Sequence, residues 1–252
     1  MAPPTYGAAW TRRNSRGWWQ RISVESTRMS RFIDLTLPLV PGQRGVAMEV
    51  TCTVAHEGWN AATWHLYTHA GTHMDAPLHF AAGPTAIDQQ ALDRCMGPAW
   101  VVRLPQAAPK ASLAIVDLGD VATKLRAGDS LLLQTGWSRY AADPVRYRDE
   151  LPRISEELAL WCVEKGVKLL GVEPPSVADV NDRTEVTRIH TILLGGGITI
   201  VEGLANLDQL RQERVFFVAV PLKLAGGDGC PVRAFAIEGI PVEGWLHKEE
   251  RS

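Results

Sequence analysis

The chain has 252 residues, 46% of them hydrophobic, and a formal net charge of -2 at pH 7. That length supports one sizeable core, and the charge balance excludes a strongly basic nucleic-acid binder. No apolar run reaches the roughly 18 residues of a membrane span. The scattered Cys52, Cys95, Cys162 and Cys230 form no CxxC pair and read as reduced thiols of a cytoplasmic protein.

Residues 1–28 differ in composition from the rest of the chain. They are rich in Arg and poor in acids and lack the apolar core of a secretory signal. A loosely docked extension is expected there, with the folded domain over residues 29–252. "RFIDLTLPL" alternates as a strand and ends at Pro41-Gly42. Residues 46–55 form a second strand candidate, and short β-rich runs stand at 100–104 and 130–136. "SEELALWCVEKG", 155–166, is a helix: Ser155 caps it, Glu156 and Glu157 suit its first turn, and Gly166 suits its end. Strands are expected at 167–173, 198–201, 214–222 and 232–238, the run at 214–222 buried on both faces. Gly195, Gly196 and Gly197 precede a strand and lack GxGxxG spacing, so they read as a tight turn. Many strands with few helices imply an α/β layered domain: a mixed sheet flanked by helices.

Chemistry concentrates in "THAGTHMDAPLHF", Thr68 to Phe80, which holds His69, His73, Asp75 and His79. Imidazole and carboxylate are costly to bury without partners. In extended chain His73 and Asp75 point to one side, Gly71 lets the backbone bend towards His69, and Pro77 blocks a regular helix. The expected result is an irregular, rigid loop. Three readings remain open: a metal site, a metal-free acid/base site, or a His-rich surface loop. Imidazole and carboxylate without Cys suit zinc, manganese or iron, and an open position would activate a water. Downstream, His190 precedes "TILLGGG" and Glu202 follows "ITIV" at a strand end, a position suited to an active site. Taken alone, His190 reads more readily as a surface helix residue and Glu202 as a helix-start charge.

"HAGTHMDAPLHF" resembles the HxGTHxDxPxHF signature of the cyclase family of metal-dependent hydrolases, which includes bacterial kynurenine formamidases and isatin hydrolases. "GVEPPSVAD" with "RIHTILLGGGITIVEGLANLDQL", and the opening "FIDLTLPLVPG", are similar to further family blocks, so the likeness runs from about residue 32 to 240. The resemblance implies that His69, His73 and Asp75 are metal ligands. His190 and Glu202 would complete a second site bridged by Asp75, and His79 would be the general acid/base. It implies one or two zinc or manganese ions and assembly as a homodimer or homotetramer. The implied activity is hydrolysis of a carbon–nitrogen bond in an aryl formamide such as N-formylkynurenine. Isatin-type cyclic amides, lactones, or a cyclase or dehydratase reaction at the same site are the alternatives, and a non-enzymatic binding protein with a degenerate site is the bland one.

Two departures from the family pattern stand out. The Trp-Pro-Gly-Asp type segment of kynurenine formamidases is "VPGQRGVAMEV" here, and "GVEPPS" carries Glu173 where the usual pattern has Asp. His56, Trp59, Asn60, Trp64 and His65 lie just upstream of the His-rich stretch, and Ser176 lies just downstream of Glu173. Trp59, Trp64, His65 and Ser176 are the candidate substrate contacts. The upstream group could instead pack on a neighbouring subunit.

Overall fold

The computed structural model describes residues 30–104 and 107–242; the extension expected over residues 1–28 lies outside them. Among the described residues there are twelve strands: β1 (Arg31–Asp34), β2 (Val46–Cys52), β3 (Ala61–Leu66), β4 (His73–Asp75), β5 (Met96–Arg103), β6 (Ser112–Leu113), β7 (Ser130–Gln134), β8 (Arg153–Ile154), β9 (Leu169–Val172), β10 (Thr199–Glu202), β11 (Arg214–Pro221) and β12 (Gly229–Glu238). The helices are α1 (Val54–Glu57), α2 (Val121–Lys124), α3 (Pro144–Asp149), α4 (Glu156–Glu164) and α5 (Arg183–Gly195).

The main sheet runs β1-β12-β11-β5-β7-β9-β10-β4, and β4 also pairs with β12. That extra pairing closes the sheet into a barrel-like core. The run β5-β7-β9-β10 is parallel, while β11, β12 and β4 join antiparallel. The expected mixed sheet is therefore present. The expectation that helices flank it fits only in part, because closure turns one face inward where no helix can pack.

Strand alternation separates two apolar clusters. Leu132, Leu169, Val201, Met74 and Phe217 fill the inside. Leu131, Leu133, Leu170, Val172 and Ile200 face outward, against Leu158 and Cys162 of α4 and Ile189 and Leu193 of α5. Residues two apart share a face, so each parallel strand serves both cores.

Helix α4 obeys its sequence signals. Ser155 accepts the Leu158 N–H at 3.1 Å, and Gly166 stands just past the end at φ 68. The glycine run is a turn: α5 ends there, and the Ile198 N–H bonds back to the Leu193 carbonyl at 2.9 Å. Strands β3, β4, β6 and β8 and helices α1, α2, α3 and α5 are not among the expected elements, and the strand expected over 46–55 ends at Cys52, with α1 beginning at Val54. The stretch expected as an irregular loop is one over residues 68–72, but His73–Asp75 form a strand of the main sheet, β4, and a 3-10 turn follows over Pro77–Phe80.

Gly171 faces the barrel interior. A Cβ there would lie 2.6 Å from Leu132 Cδ2 and 2.8 Å from Leu204 Cδ1. Gly171→Val is expected to lower stability by about 1–3 kcal/mol through overpacking, as measured by chemical denaturation; an unchanged midpoint would mean that the interior has room to spare.

Candidate metal centre

Inside the barrel Met74 points to the apolar core, so its neighbours His73 and Asp75 point out, towards α5. The β4–β10 register sets Glu202 opposite His73 and Ile200 opposite Asp75. Glu202 therefore shares the outer face with both. Helix α5 packs over that face and supplies His190 from its buried side. His73, Asp75, His190 and Glu202 are each no more than 3% exposed.

The distances tie the groups together. His73 Nε2 lies 3.2 Å from Glu202 Oε2 and 3.6 Å from Asp75 Oδ1. His190 Nε2 lies 3.3 Å from Glu202 Oε1 and 3.6 Å from Asp75 Oδ2. His69 Nδ1 is 2.8 Å from Asp75 Oδ1, and its Nε2 is 3.1 Å from Asp228 Oδ2. His79 Nδ1 is 3.5 Å from the same Asp228 oxygen, and its ring stacks on His69 with centroids 3.8 Å apart.

Backbone carbonyls set two of the rings. A carbonyl can only accept, so the contacts of His73 Nδ1 to the Gly71 oxygen (2.9 Å) and of His190 Nδ1 to the Val186 oxygen (2.7 Å) require N–H on Nδ1. In the neutral ring each Nε2 is then a lone pair aimed into the cluster, the arrangement of a metal-ligating histidine. Phe80 stacks on His190 at 4.3 Å and holds its plane. The Thr72 hydroxyl donates to the Gly203 carbonyl and accepts the Leu37 N–H, which pins the loop before β4 to the end of β10. Gly203, at φ 69, has no room for a Cβ against the Gly71 carbonyl, so this close approach requires glycine.

The charges are mutually dependent. Burial works against the protonated forms of His73 and His190, yet Glu202 and Asp75 hold both above the ordinary imidazole range. Glu202, despite a burial that opposes its charge, is held well below the carboxylate range by His190 and His73. Burial likewise opposes protonation of His69, and Asp75 with Asp228 outweighs it, lifting the ring to about 8. His79 goes the other way: burial, helped by His69 and His190, outweighs the pull of Asp75 and Asp228 and lowers it below the ordinary imidazole range.

Among the described residues, three overlapping groups offer donor atoms within 4.8 Å of one another: His69, His73 and Asp75; Asp75, His190 and Glu202; and His69, His79 and Asp228. Asp75 Oδ2 is buried with no hydrogen-bond partner, although a buried carboxylate oxygen ordinarily has one. Asp75 belongs to two of these groups of imidazole and carboxylate donors, with Oδ1 beside His69 and His73 and the unpartnered Oδ2 beside His190, and this set fits a divalent cation.

The sequence-derived candidates His69, His73, Asp75, His79, His190 and Glu202 are thus brought together. Trp59 is 60% and Trp64 45% exposed, on the projecting β2–β3 hairpin, where His65 pairs with Glu49 at 3.2 Å. Ser176 is 3% exposed and its hydroxyl accepts the Ala178 N–H at 3.2 Å, so it braces a turn. Asp228 is not among the sequence-derived candidates: it lies 159 positions from His69, in the stretch "GGDGC".

The chain belongs to the putative cyclase family, whose profile matches residues 33–179. It is 31% identical to the kynurenine formamidase of Bacillus cytotoxicus over 214 residues, 82% of this chain and 97% of that one. It is 35% identical to the kynurenine formamidase of Salinibacter ruber over 175 residues, 69% and 78% of the two chains. Among solved structures, isatin hydrolase A from Ralstonia solanacearum aligns with a TM-score of 0.71 and 26% identity over 82% of this chain and 92% of that one. The corresponding enzyme from Labrenzia aggregata aligns with a TM-score of 0.73 and 24% identity over 82% and 93%, a likeness of fold.

The raised histidine makes cation binding depend on pH. In metal-free protein His69 is raised from 6.5 to about 8, so its proton contributes stability that is full below pH 6.5 and lost as pH rises through about 8. A divalent cation requires the unprotonated ring and competes with that proton. Cation affinity is expected to rise with pH between 6 and 8, by up to about tenfold per pH unit for the His69 proton displaced. Calorimetric titration with zinc checks this; an affinity constant between pH 6 and 8 would contradict it.

Proposed function

We propose that the protein is a metal-dependent hydrolase of the carbon–nitrogen bond of amides, with aryl formamides such as N-formylkynurenine as its substrates. The observation that carries this reading is the buried pair of three-donor groups sharing Asp75. Similarity to kynurenine formamidases over most of both chains supports the substrate class. In this reading His69, His73 and Asp75 hold one zinc or manganese ion, and Asp75, His190 and Glu202 hold a second. Nitrogen and oxygen donors without thiolate suit both metals. When bound, the metal supplies Lewis acidity that polarises a carbonyl and lowers the pKa of water.

The protein's own groups do the rest. His79, whose protonated form burial disfavours and whose ring is partly open to solvent, takes a proton from the attacking water and returns it to the departing nitrogen. Water adds a hydroxyl to the acyl carbon, the carbon–nitrogen bond breaks, and the amine leaves with the second hydrogen. Asp228 faces Nδ1 of His79 at 3.5 Å, an orientation that leaves Nε2 for the exchange. Trp59, Trp64 and His65 are assigned to the substrate side. The assembly we assign is a homodimer or homotetramer, for which the hairpin's exposed Met48, Val50 and Trp64 offer apolar contact surface. A cytoplasmic location is consistent with four free cysteines. No helix among the described residues is long and apolar enough to cross a membrane.

Hydrolysis of an isatin-type cyclic amide is the second reading, favoured by likeness to isatin hydrolase A. Purified protein is to be assayed with N-formylkynurenine and with isatin, before and after chelation and with zinc or manganese restored. Chelation is expected to abolish turnover and metal to restore it. His79→Ala is expected to lower kcat roughly 10²- to 10⁴-fold with bound metal unchanged. Full activity in metal-free His73→Ala protein would overturn the reading.

A further inference from the structure

Glu173 is a buried carboxylate, 1% exposed, that the proposed reaction does not use. It directly succeeds β9, beside the turn that ends β7. That turn closes around its side chain. Oε2 accepts from the Thr135 hydroxyl at 3.1 Å, the Trp137 N–H at 3.2 Å and the Gly136 N–H, and Oε1 accepts from the Ser138 hydroxyl at 2.9 Å. The Glu173 carbonyl accepts the Tyr147 hydroxyl at 2.6 Å, and Trp137 Nε1–H donates to the Tyr147 carbonyl at 2.9 Å. Burial pushes this carboxyl up and the turn's donors pull it back. Such a group is costly to keep in a core without those partners.

The segment anchored by this network leads straight to Glu202. The Pro174 carbonyl accepts the Gly203 N–H at 2.8 Å, and the Leu204 N–H reaches the Val172 carbonyl at 2.9 Å. These two bonds fix the backbone just after Glu202. Ser176 braces the turn, and the Val177 N–H donates to Glu202 Oε1 at 2.7 Å. That same oxygen is 3.3 Å from His190 Nε2. Oε1 therefore depends on a main-chain donor whose place is set by the segment beginning at Glu173.

We propose that Glu173 is a positioning residue: by anchoring the 173–177 segment it holds Val177 N–H against Glu202 Oε1 and so shapes the Asp75–His190–Glu202 half of the centre. The inference rests on the metal reading above for its consequence, and on the Val177–Glu202 hydrogen bond for its structure. Glu173→Gln can keep its carbonyl oxygen under Thr135, Gly136 and Trp137 and turn its amide to the Ser138 hydroxyl, whereas Glu173→Ala can do neither.

The test is zinc titration of chelated full-length protein by calorimetry, with hydrogen exchange at the Val177 amide. Glu173→Ala is expected to weaken one of two zinc sites roughly 10- to 100-fold, the usual effect of losing a group behind a ligand. The other site should be left near its wild-type affinity, and exchange at Val177 should speed up. Glu173→Gln is expected to restore both readouts. Should Glu173→Ala fail to fold, Thr135→Val combined with Ser138→Ala removes two donors and should move both readouts the same way, less far. Unchanged Val177 exchange, or equal weakening of both zinc sites, would overturn the proposal. Wild-type protein that binds no zinc would overturn the metal reading instead, and Val177 exchange would still decide the role of Glu173.

Discussion

The antiparallel pairing of β4 with β10 is the constraint on which the rest depends. It places His73 opposite Glu202 and sets Asp75 one pleat away on the same face. A shift of one residue would send His73 and Asp75 into the apolar interior and bring Met74 out. The register is therefore held from both sides: by Met74 and Val201 in the inner core, and by charges whose burial is tolerable only in company. His69, His73 and His190 each have a carboxylate within about hydrogen-bonding reach, Asp75 faces all three and Glu202 faces two of them. Removing one member leaves another charged and unpaired, the costly case for buried ionic groups.

Closure of the barrel is what frees this face for chemistry. A sheet open at β4 would present an unpaired edge there. Pairing with β12 as well as β10 satisfies β4 on both sides and brings Asp228, just before β12, up to His69 and His79. The inner core supplies rigidity, the outer core seats α5, and the centre lies where the outer core gives way to polar side chains. Rigid elements around such a site suit a reaction that needs fixed donors more than moving parts.

Much of the candidate centre was legible in sequence because its donor residues cluster. His69, His73, Asp75 and His79 stand within eleven positions, and period-two alternation already put His73 with Asp75. His190 and Glu202 were ambiguous until a family pattern paired them. Helix α5 was not legible: Thr184, Val186, Thr187, Ile189, Thr191 and Ile192 are β-branched residues that disfavour helix, and tertiary packing with the Asp182 cap overrides them. Strand β3 is exposed along its length, so it carries no buried alternation to read. Strand β4 has three residues, too few for any pattern. Barrel closure and the place of Asp228 depend on contacts far apart in the chain, which local patterns do not encode.

The most direct measurement is metal content per subunit after zinc loading and dialysis, in wild-type protein and in Asp75→Asn and Glu202→Gln. Asp75 belongs to both principal donor groups and Glu202 to one. The predicted result is that Asp75→Asn loses the ion or ions that wild type retains, while Glu202→Gln keeps the ion held by His69, His73 and Asp75. Wild-type zinc content in folded Asp75→Asn protein would contradict a metal centre built around that carboxylate.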